Sequence, residues 1–174
     1  MRTLLLIMTL LATPTMVAPT VPLPVLTTNL KQPKVKSDYE KFTDAMGSRE
    51  SSNNYTVVNK YGYMGKYQFG KSTLRTLKIK VTKEAFLNSP DLQEYAMLQN
   101  LIYNKKKLQK YIDKYEGQII NEIYITESGI LAAAHLGGPG SVRKFFRSGK
   151  IMEDGNGVKI TSYLKQFGGY DLGI

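Results

Sequence analysis

The sequence predicts a mainly α-helical domain over residues 37–174, with one irregular segment that holds at most a short β-hairpin. Two observations favour helices: apolar residues recur at helical spacing in several stretches, and residues that commonly begin or end helices flank those stretches. A third observation marks the exception. Between residues 53 and 69, Asn, Gly and Tyr dominate and helical spacing is lost, which is typical of irregular backbone.

The first helix begins at a capping box, in which Ser37 and Glu40 satisfy each other's backbone N–H groups. Phe42 and Met46 follow at helical spacing and predict its buried face. Glu50 comes four residues after Met46 and therefore lies on the same apolar stripe, near the end of the helix. A carboxylate on a buried face is unusual and requires an explanation.

A second, long helix is predicted to begin at Ser89 and Pro90 and to run to about Tyr115, before Gly117. Its core residues are expected to be Leu98, Leu101, Ile102, Leu108 and Ile112. Three consecutive lysines at positions 105–107 are expected to interrupt it as a basic turn. Thr126 is expected to cap the next helix, and a turn is predicted at 154–157. The remaining predicted helices are 127–136, which glycines end at 137–140, then 142–147 and 161–167.

Composition excludes several kinds of site. The chain has 174 residues, no cysteine and one histidine, which excludes disulfides, a cysteine nucleophile, thiolate metal sites and multi-histidine metal sites. A Ser-His-Asp triad would have to use His135. No metal or other cofactor is predicted. The length suits one domain with an extension.

The N-terminus predicts export. Residues 1–18 combine a basic start, an apolar run and small residues before Pro19, which is the pattern of a cleaved signal peptide. The apolar run is too short for a membrane-spanning helix, and no later segment is apolar enough for one. Residues 19–36 are rich in Pro, Thr and Lys and predict an extended linker. The mature chain is therefore expected to be soluble and secreted or periplasmic, with its folded domain at 37–174.

Three short motifs occur in order along the predicted domain: Glu50-Ser51, then Gly62, Gly65 and Gln68, then Ala134 with Gly138, Pro139 and Gly140. Together they resemble the lysozyme-like superfamily, nearest to its soluble lytic transglycosylase and goose-type lysozyme branch. That branch carries Glu-Ser at a helix end, then Gly-Ala-x-Gly-Leu-Met-Gln, then Ala-Tyr-Asn-Ala-Gly-Pro-Gly. The resemblance covers residues 37 to 146 and implies an α+β, mainly helical fold around a saccharide groove.

The resemblance implies cleavage of the β-1,4 bond between MurNAc and GlcNAc in peptidoglycan, with Glu50 as the catalytic residue. Glycoside cleavage needs an acid to protonate the leaving oxygen, and burial near a helix C-terminus favours a protonated carboxyl. In lytic transglycosylases the same glutamate then deprotonates the C6 hydroxyl of MurNAc, which closes a 1,6-anhydro ring. The implied partner is the glycan strand.

The implied substrate-binding residues are Gln68, Tyr67, Asn59, His135 and Tyr63. Gln68 matches the family motif, whereas the others replace family residues. Tyr63 stands where the family has Ala, Lys66-Tyr67 replaces Leu-Met, His135-Leu136 replaces Tyr-Asn, and Asn59 stands at a serine position. Aromatic residues here either stack on sugars or pack in the core.

Three alternatives stay open. A muramidase would hydrolyse the same bond and would use a second carboxylate, for which the sequence offers Asp113, Glu116, Glu127, Glu153 and Asp154. A peptidoglycan-binding or assembly protein would keep the groove without cleavage, and a cationic protein could act on membranes. The net charge of +10 favours binding to an anionic cell wall. The export signal argues against nucleic acid as a partner. Docking on a wall or secretion assembly is left open.

Overall fold

The computed structural model describes residues 35–174; the predicted signal peptide and the linker up to residue 34 lie outside the described residues. The described part contains six helices and one two-stranded sheet, so the predicted mainly helical fold is confirmed. In chain order the elements are α1 Asp38–Ser51, α2 Lys71–Thr76, α3 Lys83–Leu87, α4 Pro90–Tyr115, β1 Ile119–Ile120, β2 Ile123–Tyr124, α5 Glu127–Ser148 and α6 Ile160–Gln166.

Helix α1 begins as predicted. The Glu40 N–H donates to Ser37 Oγ at 3.2 Å, and the Ser37 N–H donates to Glu40 Oε2 at 2.7 Å. Phe42 and Met46 are fully buried, as their spacing predicts. Ser52 ends the helix in the left-handed conformation, which leaves Glu50 in the last turn.

Helix α4 confirms its predicted ends but not its predicted interruption. Lys105, Lys106 and Lys107 lie within a continuous helix. Lys106 and Lys107 are exposed and Lys105 is half-buried, while Leu108 is buried. Lys105 forms an ion pair with Glu127 at 3.0 Å. Ile102 is 44% exposed, so its assignment to the core is wrong: it lies about 100° around the helix from buried Leu101.

Helix α5 forms the centre of the domain and packs against both α4 and α6. Residues 130–134 are buried. The predicted break is present as a kink at Gly138, whose φ of 73° and ψ of 162° are not helical. Two helical stretches flank this kink within α5, as predicted. The kink therefore depends on a backbone conformation that glycine adopts without a steric penalty.

The segment between α1 and α2 is irregular, as predicted, with isolated bridges from Met64 to Val58 and to Phe69. The antiparallel sheet lies elsewhere: β1 pairs with β2 after α4, where no strand was predicted. Helices α2 and α3 were also missed because each is only one or two turns long. Helix α6 lies one residue earlier than predicted. Within residues 35–174, no helix is both long and apolar enough to span a bilayer.

The Gly65→Ala substitution is expected to destabilise the domain by at least about 2 kcal/mol. Gly65 has a φ of 74°, and an added Cβ would lie 2.0 Å from Gln93 Oε1. Gln93 cannot easily move, because its amide binds the Lys66 N–H at 2.8 Å and the Tyr55 and Phe86 carbonyls at 2.9 Å. Urea denaturation of the purified chain measures the effect.

Gly140→Ala is the matched control. Gly140 also lies in one of the three short motifs, but it is helical and no neighbouring side chain lies within 4 Å of its added Cβ. Alanine there should leave stability unchanged or raise it by up to about 1 kcal/mol. Equal stability of the Gly65→Ala variant and the original chain would contradict the close packing described for Gly65.

Candidate functional site

A cleft of about 710 Å³ opens on the domain beside the C-terminal end of α1. Its walls come from α1, the segment before α2, α2 itself, the middle of α4, the kink of α5, the turn after α5, and α6. Five of the six predicted site residues line it: Glu50, Asn59, Tyr63, Gln68 and His135. The fold thus brings together residues that lie up to 85 positions apart in the sequence, from 50 to 135.

Glu50 lies in the last turn of α1, half-buried in the cleft wall. The Tyr163 hydroxyl of α6 donates a hydrogen bond to Glu50 Oε1 at 2.5 Å. Burial, together with the adjacent Glu50 carboxylate, raises the pKa of the Tyr163 phenol. Tyr163 therefore stays protonated and holds one carboxylate oxygen in place. Among residues 35–174, Glu50 Oε2 accepts no hydrogen bond, so it is available to a ligand.

Ser51 connects the end of α1 to the glycine-containing segment. Its Oγ donates to the Lys66 carbonyl at 2.8 Å and accepts from the Asn54 N–H at 3.0 Å. Adjacent residues near a helix end face different directions. Glu50 can therefore line the cleft while Ser51 holds the segment that forms the opposite wall.

The amides of Gln68 and Asn59 stabilise the loops that carry them. Gln68 Nε2 donates to the Gly65 carbonyl at 2.9 Å, and Asn59 Oδ1 accepts from the N–H groups of Tyr61 and Tyr63 at 2.9 and 3.0 Å. Within residues 35–174, Gln68 Oε1 and Asn59 Nδ2 form no hydrogen bond and line the cleft. One amide oxygen and one amide NH₂ group are thus available to a polar ligand.

The prediction that Tyr67 contacts substrate is wrong for this structure. Tyr67 is completely buried and does not line the cleft, and its hydroxyl donates to Glu94 Oε2 at 2.6 Å. The tight turn from Gly65 to Gln68 directs Gln68 to the cleft and Tyr67 to the core. Tyr63, in contrast, is 45% exposed on the cleft wall and remains available for stacking on a ligand.

His135 connects α5 to the segment between α1 and α2 and lies close to α4. Its Nε2 donates to the Tyr67 carbonyl at 2.9 Å, and its Nδ1 lies 3.4 Å from Asn100 Oδ1. The ring packs edge-on against Phe69 at 5.4 Å between centroids. Its Nε2 is therefore engaged by the protein, and the half-buried ring lines the cleft.

Of the five candidates for a second carboxylate, only Asp154 lines the cleft. Its Oδ1 accepts from the N–H groups of Asn156 and Val158 at 2.9 and 2.7 Å, so it also forms the predicted turn. The other four have partners elsewhere. Asp113 accepts a hydrogen bond from Gln109, and Glu116 accepts one from the first N–H of α5. Glu127 forms an ion pair with Lys105, and Glu153 forms one with Lys159.

Sequence reasoning missed a polar cluster behind the cleft wall, centred on Lys66 and Glu94. Lys66 is only 4% exposed, and its Nζ lies 2.9 Å from Glu94 Oε1 and 3.6 Å from Asp44 Oδ1. Glu94 also accepts the Tyr55 hydroxyl at 2.6 Å. Burial alone would lower the pKa of Lys66, but hydrogen bonds and charge interactions with Glu94 and Tyr55 together raise that pKa. Lys66 therefore stays charged inside the domain.

Raising the pH above about 10 is expected to destabilise the domain, because unfolded tyrosine ionises near pH 10. Burial and neighbouring carboxylates raise the folded pKa of both Tyr67 and Tyr163. The unfolded chain then loses protons that the folded chain keeps, so the free energy of unfolding falls with rising pH. Loss of the Lys66 charge at still higher pH acts in the same direction.

Urea midpoints at neutral pH and at about pH 10.5 measure this effect. The Tyr67→Phe variant should be less stable at neutral pH, but its urea midpoint should fall less with rising pH. The urea midpoint of Tyr124→Phe, at an exposed position, should fall as much as that of the original chain. An equal fall in the Tyr67→Phe variant would mean that other groups cause the alkaline sensitivity.

The site as a whole combines the half-buried Glu50 carboxylate, the tyrosine that orients it, a second carboxylate at Asp154, and polar and aromatic groups along the cleft wall. Such a cleft can bind a polar chain-like ligand and transfer a proton to or from it. Tyr163 is the cleft residue beside Glu50 that the sequence did not predict, because it belongs to no motif. Comparisons of the chain with protein-family models, with curated proteins and with solved structures gave no match.

Proposed function

We propose that this chain cleaves the β-1,4 bond between MurNAc and GlcNAc in peptidoglycan, as a lytic transglycosylase that leaves 1,6-anhydroMurNAc ends. One observation carries the proposal: Glu50 lies half-buried in the cleft wall, with Oε1 held by the Tyr163 hydroxyl at 2.5 Å. The motif resemblance agrees with this geometry. Export, which the N-terminal sequence predicts, would bring the chain to such a substrate.

The reaction needs one group that acts first as an acid and then as a base. Protonated Glu50 gives its proton to the glycosidic oxygen, and the bond from that oxygen to C1 of MurNAc breaks. The Glu50 carboxylate then takes the proton of the C6 hydroxyl of MurNAc. At the same time the oxygen of that hydroxyl bonds to C1 of MurNAc, which closes the 1,6-anhydro ring. Tyr163 keeps the side chain in one orientation through both steps, because it binds Oε1 and leaves Oε2 for proton transfer.

The environment of Asp154 favours transglycosylation over hydrolysis. A hydrolase uses a second carboxylate to activate water or stabilise the reacting sugar. Asp154 Oδ1 already accepts two backbone N–H groups, so this oxygen is committed to the turn. The muramidase alternative is retained because Asp154 lines the same cleft.

Digestion of purified peptidoglycan by the purified chain in ¹⁸O-labelled water tests the proposal, with mass spectrometry of the soluble muropeptides. Anhydro-muropeptides without label are expected. Reducing ends that contain ¹⁸O would instead establish a muramidase. Binding without any soluble product would contradict both enzymatic functions and support a wall-binding protein.

A further inference from the structure

Arg49 is a cation held rigidly at the edge of the cleft, next to Glu50. Its Nη2 donates to Ser162 Oγ at 2.9 Å, and its Nη1 donates to Gln166 Oε1. Its guanidinium also stacks on the Tyr163 ring, 4.2 Å from the centroid. Three contacts from α6 thus fix one side chain of α1, so little side-chain entropy remains to be lost when a ligand binds.

The charge of Arg49 is not neutralised by an ion pair. Among the described residues, no carboxylate lies within ion-pair distance of it, and the cleft wall contains no other cation. The guanidinium has five N–H donors, of which two are engaged by α6. The remaining donors can bind both oxygens of a carboxylate, which is the pairing that arginine favours.

We propose that Arg49 is a specificity-determining residue, which binds a carboxylate carried by the muramyl substituent of the glycan next to the bond that is cleaved. This inference rests on the proposed function. A strand of GlcNAc alone has no such group, whereas MurNAc carries a lactyl ether that ends either in a free carboxylate or in a stem peptide with its own carboxylates. Arg49 therefore makes the cleft prefer muramyl glycans over chitin.

The alternative role for Arg49 is structural. Its stacking on Tyr163 would then serve only to position the tyrosine that holds Glu50. The two roles predict different effects of replacing Arg49 on binding and catalysis. A carboxylate-binding residue contributes affinity only for ligands that carry the carboxylate, whereas a positioning residue affects every ligand and lowers kcat rather than raising KM.

Equilibrium binding separates these roles, measured by calorimetry on the full chain with Glu50→Gln to prevent turnover. The ligands are chitotetraose, glycan strands stripped of stem peptides, and strands that keep them. Adding Arg49→Gln should weaken binding of the muramyl strands about 10-fold or more and leave binding of chitotetraose unchanged. Loss only for the stripped strands assigns the lactyl carboxylate, which the stem peptide converts to an amide. Loss only for the peptide-bearing strands assigns a stem-peptide carboxylate, and loss for both strands means that Arg49 binds either carboxylate.

Two further measurements complete the test. With Glu50 intact, Arg49→Gln should raise KM on peptidoglycan with little change in kcat, and Arg49→Lys should recover part of the loss. Lys165→Gln, which removes an exposed cation of α6 outside the cleft, should change neither value. Equal weakening of all three ligands, or a fall in kcat alone, would overturn the inference. Absence of cleavage with ligand discrimination intact would overturn the proposed function alone.

Discussion

Replacing Glu50 with glutamine is expected to lower kcat on peptidoglycan by roughly 100- to 10,000-fold, with binding and fold retained. Glutamine keeps the shape of the side chain, and its oxygen can still accept the Tyr163 hydroxyl that now binds Oε1. It cannot deliver a proton to the glycosidic oxygen or take one from the C6 hydroxyl. Release of soluble muropeptides, with a melting curve to verify folding, measures this result.

Two neighbouring carboxyl variants sharpen the test of Glu50. Glu153→Gln is the matched control, because Glu153 is exposed and lies outside the cleft; its activity should equal that of the original chain. Asp154→Asn keeps an oxygen that can accept the turn hydrogen bonds and should also remain active if the chain is a transglycosylase. Loss of activity in Asp154→Asn would favour the muramidase, and full activity of Glu50→Gln would contradict Glu50 as the catalytic residue.

Replacing Glu94 with glutamine is expected to reduce the free energy of unfolding by about 2–3 kcal/mol. Glu94 accepts hydrogen bonds from Tyr55, Lys66 and Tyr67, at 2.6, 2.9 and 2.6 Å. Glutamine offers one accepting oxygen, so its NH₂ group would face one of these donors. Lys66 would also remain buried, with only the more distant Asp44 carboxylate to balance its charge.

Urea denaturation gives the loss of stability in the Glu94→Gln variant, provided that the slope with denaturant is unchanged. Glu153→Gln serves as the control here too, because it removes a solvent-exposed ion pair with Lys159 at 3.8 Å, and such pairs contribute at most about 1 kcal/mol. A similar small loss in both variants would mean that solvent, rather than Glu94, balances the charge of Lys66.

The sequence by itself determined the elements that depend on contacts within one helical turn. Ser37 caps α1 through Glu40, three residues away, and Ser89 with Pro90 begins α4. Contacts within one helical turn also predicted two other features: the place of Glu50 on the buried stripe of α1 and the break at Gly138. Capping, spacing and glycine conformation involve neighbouring residues, so their effects can be recognised without knowing the fold.

Only the tertiary structure decided which polar and aromatic groups meet across the domain. Tyr163 reaches Glu50 over 113 positions, and Tyr67 enters the core because Glu94, 27 positions later, accepts its hydroxyl. The lysines that follow Asn104 remain helical because the core and solvent lie on opposite sides of α4. Local spacing cannot predict such pairings, since each depends on how the faces of different helices pack against one another.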